Sequence, residues 1–138
     1  MKNYKKILTN TLYWIALVGL FFWFAYTKGW ILADFRSVDA QTAITMIEND
    51  DNITLLDVRT VPEYKEGHLV DATLIPLQQL NTHIDKLSNK KDTKIVVYCQ
   101  SGNRSVAASR ILEKHGFTPI NVKGGIIALK SAGAQIIK

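Results

Sequence analysis

The segment Lys94–Tyr98 (KIVVY) constrains the fold more than any other part of the chain. It is a short, nearly continuous apolar run rich in β-branched residues, which is typical of a parallel strand covered on both faces. Residues 53–58 and 119–122 predict further strands, and residues 39–49 and 105–115 carry apolar side chains at helical spacing. Because strands and helices alternate, the sequence predicts a three-layer α/β domain with a mainly parallel central sheet.

Shorter patterns predict the remaining elements of this domain. Leu80, Ile84 and Leu87 lie at helical spacing, which predicts a helix over residues 77–87. Further short elements are expected at residues 62–65 and 125–132 as helices and at residues 72–75 as a strand.

Residues 7–27 form a stretch without any charged side chain. A helix needs about 20 mostly apolar residues to cross a bilayer, so this stretch just suffices. Tryptophan and tyrosine lie towards its ends, as in the aromatic belts of membrane interfaces. We expect a single-pass transmembrane anchor over residues 1–27, a linker over residues 28–37 and one folded domain over residues 38–138.

Two other interpretations of the apolar stretch stay open, a buried core helix and a cleaved signal peptide. The tripeptide Ile31-Leu32-Ala33 resembles a signal-peptide cleavage site. The run is long for a signal sequence, however, and Lys28 and the bulky Trp30 separate it from that tripeptide. A retained anchor is therefore favoured.

The basic residues around the span predict its orientation. Three lysines precede it, whereas Lys28 and Arg36 follow it. Positive charge tends to stay on the cytoplasmic side, so the folded domain is expected on the non-cytoplasmic side of the membrane.

The charge distribution argues against a nucleic-acid partner. The chain has a formal net charge of +5, but all 12 acidic residues lie at or after Asp34. From Asp34 onward, 13 basic residues face 12 acidic ones, a balance of +1. A nucleic-acid-binding domain concentrates basic residues on its folded part, and this chain does not.

The only cysteine, Cys99, directly follows the most buried-looking strand. It opens the segment CQSGNR, a turn from strand to helix in which Gly102 permits a crowded backbone. Inward-pointing N–H groups of such a turn, together with the N-terminus of the next helix and Arg104, stabilise an anion. A thiolate would be stabilised there, so Cys99 is a candidate nucleophile, although a lone cysteine beside a strand is often only a small apolar residue.

Five segments in order resemble the rhodanese family of sulfurtransferases, from about Val38 to Ala134. These segments are Leu56-Asp57-Val58-Arg59, Glu63-Tyr64 with Gly67-His68-Leu69, Ile75-Pro76-Leu77, the loop CQSGNRS from Cys99 to Ser105, and Gly124-Gly125-Ile126. They resemble the family's D-V-R strand end, its E-[FY]-x-x-G-H-[IL] segment, its I-P-L, its C-x-x-G-x-R-S active loop and its late G-G.

The resemblance implies a thiosulfate sulfurtransferase-like enzyme in which Cys99 takes sulfur from a donor, holds it as a persulfide and passes it to a thiol or cyanide-like acceptor. Neither a metal nor an organic cofactor is implied. The residues expected to bind the donor and to support the persulfide's negative charge are Gln100, Ser101, Gly102, Asn103 and Arg104. Asp57 and Arg59 are expected to pair with each other or to brace the loop, and His68 to organise the fold. The expected partners are thus small molecules and, through residues 7–27, the membrane.

Two alternative functions fit the sequence less well than sulfur transfer. Protein tyrosine phosphatases carry C-x5-R, whereas only four residues separate Cys99 from Arg104. A catalytically idle rhodanese fold that tethers a partner at the membrane is the other alternative, and the intact Cys99 argues for the enzyme.

The chain departs from the family pattern in three places. Asp71 stands where the family often has glycine, so a locally different turn is expected there. An apolar run at residues 126–129 replaces a tryptophan often found after the G-G segment. Both changes concern packing. The loop also offers one cation, Arg104, where some relatives have two, which suggests weak thiosulfate turnover and a different physiological donor.

Overall fold

The N-terminal segment forms one long helix. The computed structural model describes residues 2–138, so Met1, the first residue of the expected anchor, lies outside the described residues. The helix α1 spans Lys2–Thr27, and its most apolar stretch is not buried inside the protein. This exposure does not fit a core helix. By length and composition α1 is able to cross a membrane, although a signal sequence would share these properties.

Residues Asp34–Lys138 form a separate compact unit. Its helices are α2 (Ala40–Asn49), α3 (Val61–Glu66), α4 (Leu77–Leu80), α5 (Asn103–Lys114) and α6 (Gly125–Ser131), with a 3₁₀ helix at Ile84–Lys90. Its strands are β1 (Arg36–Val38), β2 (Ile53–Asp57), β3 (His68–Leu69), β4 (Thr73–Leu74), β5 (Lys94–Tyr98), β6 (Thr118–Val122) and β7 (Ile136–Ile137).

Five strands form a parallel sheet in the order β1-β6-β5-β2-β4. The strand β5 lies at its centre, paired along its length with β2 and β6. The short strands β3 and β7 form a separate antiparallel pair. The predicted α/β fold with a mainly parallel sheet is confirmed.

Apolar side chains cover both faces of the sheet. Val96 and Tyr98 of β5 join a cluster on one face with residues of α2 and α6. Ile95, Val97 and Cys99 join a cluster on the other face with residues of α4 and α5. Each fully buried aliphatic side chain stabilises the fold by about 1.5–3 kcal/mol, and this unit has a core of its own on each face of the sheet.

Some expected elements differ in the structure. The predicted helix over residues 77–87 is split into α4 and the 3₁₀ helix. Leu80 and Leu87 are buried as the pattern required, but between them the hydroxyl of Thr82 donates to the carbonyl of Gln79 at 3.0 Å. Side-chain bonds of this kind compete with helical ones.

Two further differences concern very short strands. Arg36 and Ser37, placed in the linker by the sequence analysis, belong to β1 and pair with β6. The pairing of β3 with β7 was not predicted at all. Strands of two or three residues are too short to show an alternating pattern, so they carry almost no sequence signature.

The turn at Asp71 keeps the conformation that glycine favours. Its φ angle is 63°, in the left-handed region, which aspartate tolerates better than most residues. The replacement of glycine by Asp71 therefore does not require a different turn.

Candidate active site

The candidate nucleophile lies at the base of the loop between β5 and α5. Cys99 follows the last residue of β5 at the carboxyl edge of the sheet, where ligands collect in folds of this kind. It is 1% exposed. The backbone N–H of Gly102 donates to its Sγ at 3.1 Å, and the hydroxyl of Ser105 lies 3.5 Å from the same sulfur. The sulfur is thus held inside the curl of its own loop.

Ser105 and Gly102 fix this curl. The Ser105 hydroxyl donates to the Gly102 carbonyl at 3.1 Å, and Ser105 is fully buried. Gly102 has a φ angle of 105°, a conformation that costs glycine little and other residues much. The helix α5 begins at the next residue, so its N-terminal N–H groups face the loop.

The N-terminus of α6 packs directly against the outside of this loop. The N–H of Ile126 donates to the carbonyl of Cys99 at 2.8 Å. A Cβ atom on Gly125 would collide with the backbone of Cys99 and Gln100. In the sequence, Gly124-Gly125 is visible only as part of a motif. The structure gives the physical reason for Gly125: the loop backbone and α6 approach too closely there for any side chain.

Asp57 and Arg59 form a buried ion pair beside the loop. Asp57 is fully buried and Arg59 is 2% exposed, and Arg59 Nη2 lies 2.7 Å from Asp57 Oδ2. Arg59 also donates to the Gly67 carbonyl at 2.7 Å and to Gln100 Oε1 at 3.4 Å. Burial acts to lower the pKa of Arg59, but the hydrogen bonds and charge of Asp57 raise it above its ordinary value. Arg59 is thus paired with Asp57 and also contacts the loop at Gln100.

A second ion pair joins α5 to α3. Arg104 binds Glu63 in a bidentate manner, with Nη1 to Oε2 at 2.8 Å and Nη2 to Oε1 at 2.6 Å. Glu63 Oε2 also accepts from the backbone N–H and the hydroxyl of Thr60, at 2.9 and 2.7 Å. The hydrogen bonds from Arg104 lower the pKa of Glu63 to about 2. From the sequence Glu63 is recognisable only as a motif residue, because a partner 41 positions away leaves no local pattern.

The other predicted site residues lie along the same loop. Ser101 and Asn103 are exposed and Gln100 is half-buried. Thus the structure brings Cys99, the loop that follows it and Arg59 together. His68 lies outside this group: its ring stacks on Tyr64 with centroids 3.6 Å apart. Among residues 2–138, no group of three His, Cys, Asp or Glu side chains is placed to hold a metal ion.

Comparison with known proteins identifies the fold and its family. Residues 39–132 match the family model of the rhodanese-like domain. The chain belongs to the rhodanese family. A sulfurtransferase of Allochromatium vinosum is 30% identical over 103 residues, which cover 74% of this chain and 94% of that protein.

Two other relatives extend this comparison. A rhodanese-related protein of Thermoplasma volcanium has a crystal structure that superposes with a TM-score of 0.67 at 32% identity, covering 75% of this chain and 98% of that one. The putative sulfur carrier protein YrkF of Bacillus subtilis is 36% identical over 81 residues. The chain spans 43% of the length of that last relative.

The rhodanese loop of this chain can therefore support a negative charge on sulfur by two means. One is the backbone N–H of Gly102, already directed at Sγ. The other is the helix N-terminus that follows it, which carries partial positive charge. Both arginines beside the loop are engaged with carboxylates.

Proposed function

We propose that this rhodanese domain moves sulfane sulfur from a small donor such as thiosulfate to a thiol or cyanide-like acceptor, with Cys99 as the carrier. Sulfurtransferase relatives support sulfur transfer in general. The observation that carries the residue assignment is the position of Cys99 Sγ, inside a loop whose Gly102 N–H donates to it at 3.1 Å. A persulfide formed there would place its terminal sulfur among the same N–H groups.

The reaction divides into two displacements. In the first, the Cys99 thiolate attacks the outer sulfur of thiosulfate, the S–S bond of the donor breaks, and sulfite leaves with its electron pair. In the second, the acceptor attacks the terminal sulfur of the persulfide, forming for example thiocyanate from cyanide and restoring the thiolate. Each step conserves charge and needs no oxidant or reductant.

The surrounding residues take supporting roles in this proposal. The loop from Gln100 to Arg104 binds the donor and the persulfide, mainly through its backbone. Asp57 and Arg59 hold the loop by the contact between Arg59 and Gln100. No proton transfer is required of His68.

The burial of Cys99 favours a second candidate, a catalytically idle module that binds a partner at the membrane. At 1% exposure, the sulfur is reached only if the donor enters the loop or the loop opens. An idle module needs no such access, whereas the enzyme does.

Cyanolysis distinguishes these candidates. The full chain in detergent micelles is supplied with thiosulfate and cyanide, and thiocyanate is measured beside the Cys99→Ser variant, whose hydroxyl cannot carry sulfur. We expect thiocyanate from the wild type and background from the variant. Equal rates for the two proteins, with thiosulfate and with a persulfide donor alike, would leave the idle module as the function.

We further infer that α1 retains the domain at a membrane as a single-pass anchor, with the domain on the non-cytoplasmic side. Its support is the apolar surface of α1 and the excess of lysine before the span. A reporter enzyme active only outside the cytoplasm, fused after Lys138, should be active. Activity of a cytoplasm-only reporter at that position would reverse the orientation, and release of the domain into the soluble fraction would identify a signal sequence.

A further inference from the structure

We propose that Glu63 sets the charge of the sulfur donor that this site accepts, by neutralising Arg104, the one cationic side chain of the active loop. The inference rests on the proposed function and adds a donor class to it. Donors with a single negative charge, such as thiosulfonates and persulfides, are favoured over the thiosulfate dianion.

The geometry of the pair reduces the capacity of Arg104 to bind a second oxyanion. Guanidinium recognises oxyanions by two parallel hydrogen bonds, and Glu63 takes the pair of donors formed by Nη1 and Nη2, at 2.8 and 2.6 Å. Arg104 lies in the first turn of α5, two residues after Gly102, whose N–H donates to the Cys99 sulfur at 3.1 Å. The cation therefore belongs to the loop that holds the nucleophile, and the carboxylate of Glu63 neutralises its charge.

The carboxylate itself is firmly fixed. It accepts from the Thr60 N–H and hydroxyl as well as from Arg104, and Thr60 is the N-cap of α3. A donor would have to compete with a partner that belongs to the helix cap. Displacement of the Glu63 carboxylate from Arg104 by an anionic donor is correspondingly unfavourable.

The second ion pair beside the loop is neutral as well. Arg59, the other arginine that contacts the loop, is paired with Asp57 at 2.7 Å. Lys123, just before Gly124, is exposed, and its charge acts on Asp39. The two pairs sum to zero, so a Cys99 thiolate makes the site net negative, and each additional negative charge on the donor weakens its binding.

Two donors of similar shape test this charge preference. Thiosulfate carries two negative charges, and methanethiosulfonate carries one because a methyl group replaces an oxygen. With Cys99 thiolate, thiosulfate gives the persulfide and sulfite, and methanethiosulfonate gives the persulfide and methanesulfinate. Both reactions break one S–S bond and form one. A change between variants in the ratio of kcat/KM for the two donors therefore reports the effect of donor charge.

The test variant is Glu63→Gln. Glutamine keeps an oxygen able to accept from the Thr60 N–H in the capping box, and it removes the charge that neutralises Arg104. The matched control is Glu66→Gln, which removes an exposed carboxylate from the same helix without touching Arg104. We measure kcat/KM of the full chain in micelles for both donors. In Glu63→Gln the ratio of thiosulfate to methanethiosulfonate should rise about four- to tenfold, the effect of one unmasked charge near the donor, mainly through a lower KM for thiosulfate.

An unchanged ratio in Glu63→Gln, or an equal rise in Glu66→Gln, would overturn the inference. A merely structural role for Glu63 would lower the rates with both donors and leave their ratio constant. Failure of the proposed function is a separate result, namely no Cys99-dependent transfer from either donor. In that case calorimetry of thiosulfate binding still tests the inference: Cys99→Ser/Glu63→Gln should bind about four- to tenfold more tightly than Cys99→Ser, and equal affinities would reject it.

Discussion

The two arginines beside the rhodanese loop are held in different environments. Arg59 and Asp57 are two positions apart in sequence and almost wholly buried. The Arg104–Glu63 pair joins residues 41 positions apart, and its side chains are 30% and 27% exposed. Losing one partner of a buried ion pair strongly destabilises a protein, because the other charge stays buried without a counter-charge. A partly exposed ion pair contributes little to stability. We therefore expect loss of the first pair to destabilise the fold far more than loss of the second, whose proposed role is to set the charge of the site.

The largest expected effect is that of Asp57→Asn. The amide leaves the Arg59 guanidinium buried without a counter-charge, so we expect the free energy of unfolding to fall by about 3–5 kcal/mol. Urea unfolding of residues 34–138, followed by circular dichroism, measures this. A loss below about 1 kcal/mol would show that the two pairs do not differ as described.

A smaller effect is expected for Glu63→Gln in the same assay. The variant loses a partly exposed ion pair but keeps the cap on Thr60, so the loss should be about 1 kcal/mol. Glu66→Gln is the control and should change the free energy of unfolding by less than about 0.5 kcal/mol. If Glu63→Gln lowered the free energy of unfolding as much as Asp57→Asn, the two ion pairs would not differ in their contribution to stability.

The smallest effect is a pH dependence that belongs to the Glu63 pair. The pKa of Glu63 is about 2, against an ordinary value of 4.5. Because the pKa is lower in the folded state, the pair stabilises the protein fully above about pH 4.5, and this contribution is lost as the pH falls towards 2. The difference in Tm between the wild type and Glu63→Gln should therefore shrink between about pH 5 and pH 3. A difference that stays constant over this range would contradict the assignment.

The parts of the site that follow one another in sequence were predictable. The run Lys94–Tyr98 is β5 with the bounds expected, and Cys99 lies directly at its end. The helix after the loop begins at Asn103, two residues before the predicted start at residue 105. Local patterns suffice here because the period of apolar residues and the position of Gly102 are properties of consecutive residues.

Other features depend on contacts between distant segments. Nothing in the sequence around Glu63 indicates Arg104 as its partner, and the closeness of Gly125 to Cys99 follows from how α6 packs on the loop. The strand β1 is defined by its pairing with β6, not by its three residues. Contacts between segments far apart in sequence decide these features. The residue pattern within one segment carries no information about such contacts.

The central claim is that Cys99 carries sulfur, and intact-mass spectrometry of the full chain tests it most directly. Since Cys99 is the only cysteine, exposure to methanethiosulfonate followed by removal of the donor should add one sulfur atom to the wild type and none to Cys99→Ser. Cyanide should then return the wild type to its original mass and release thiocyanate. A wild-type mass that stays unchanged with methanethiosulfonate, thiosulfate and persulfide donors alike would contradict the account.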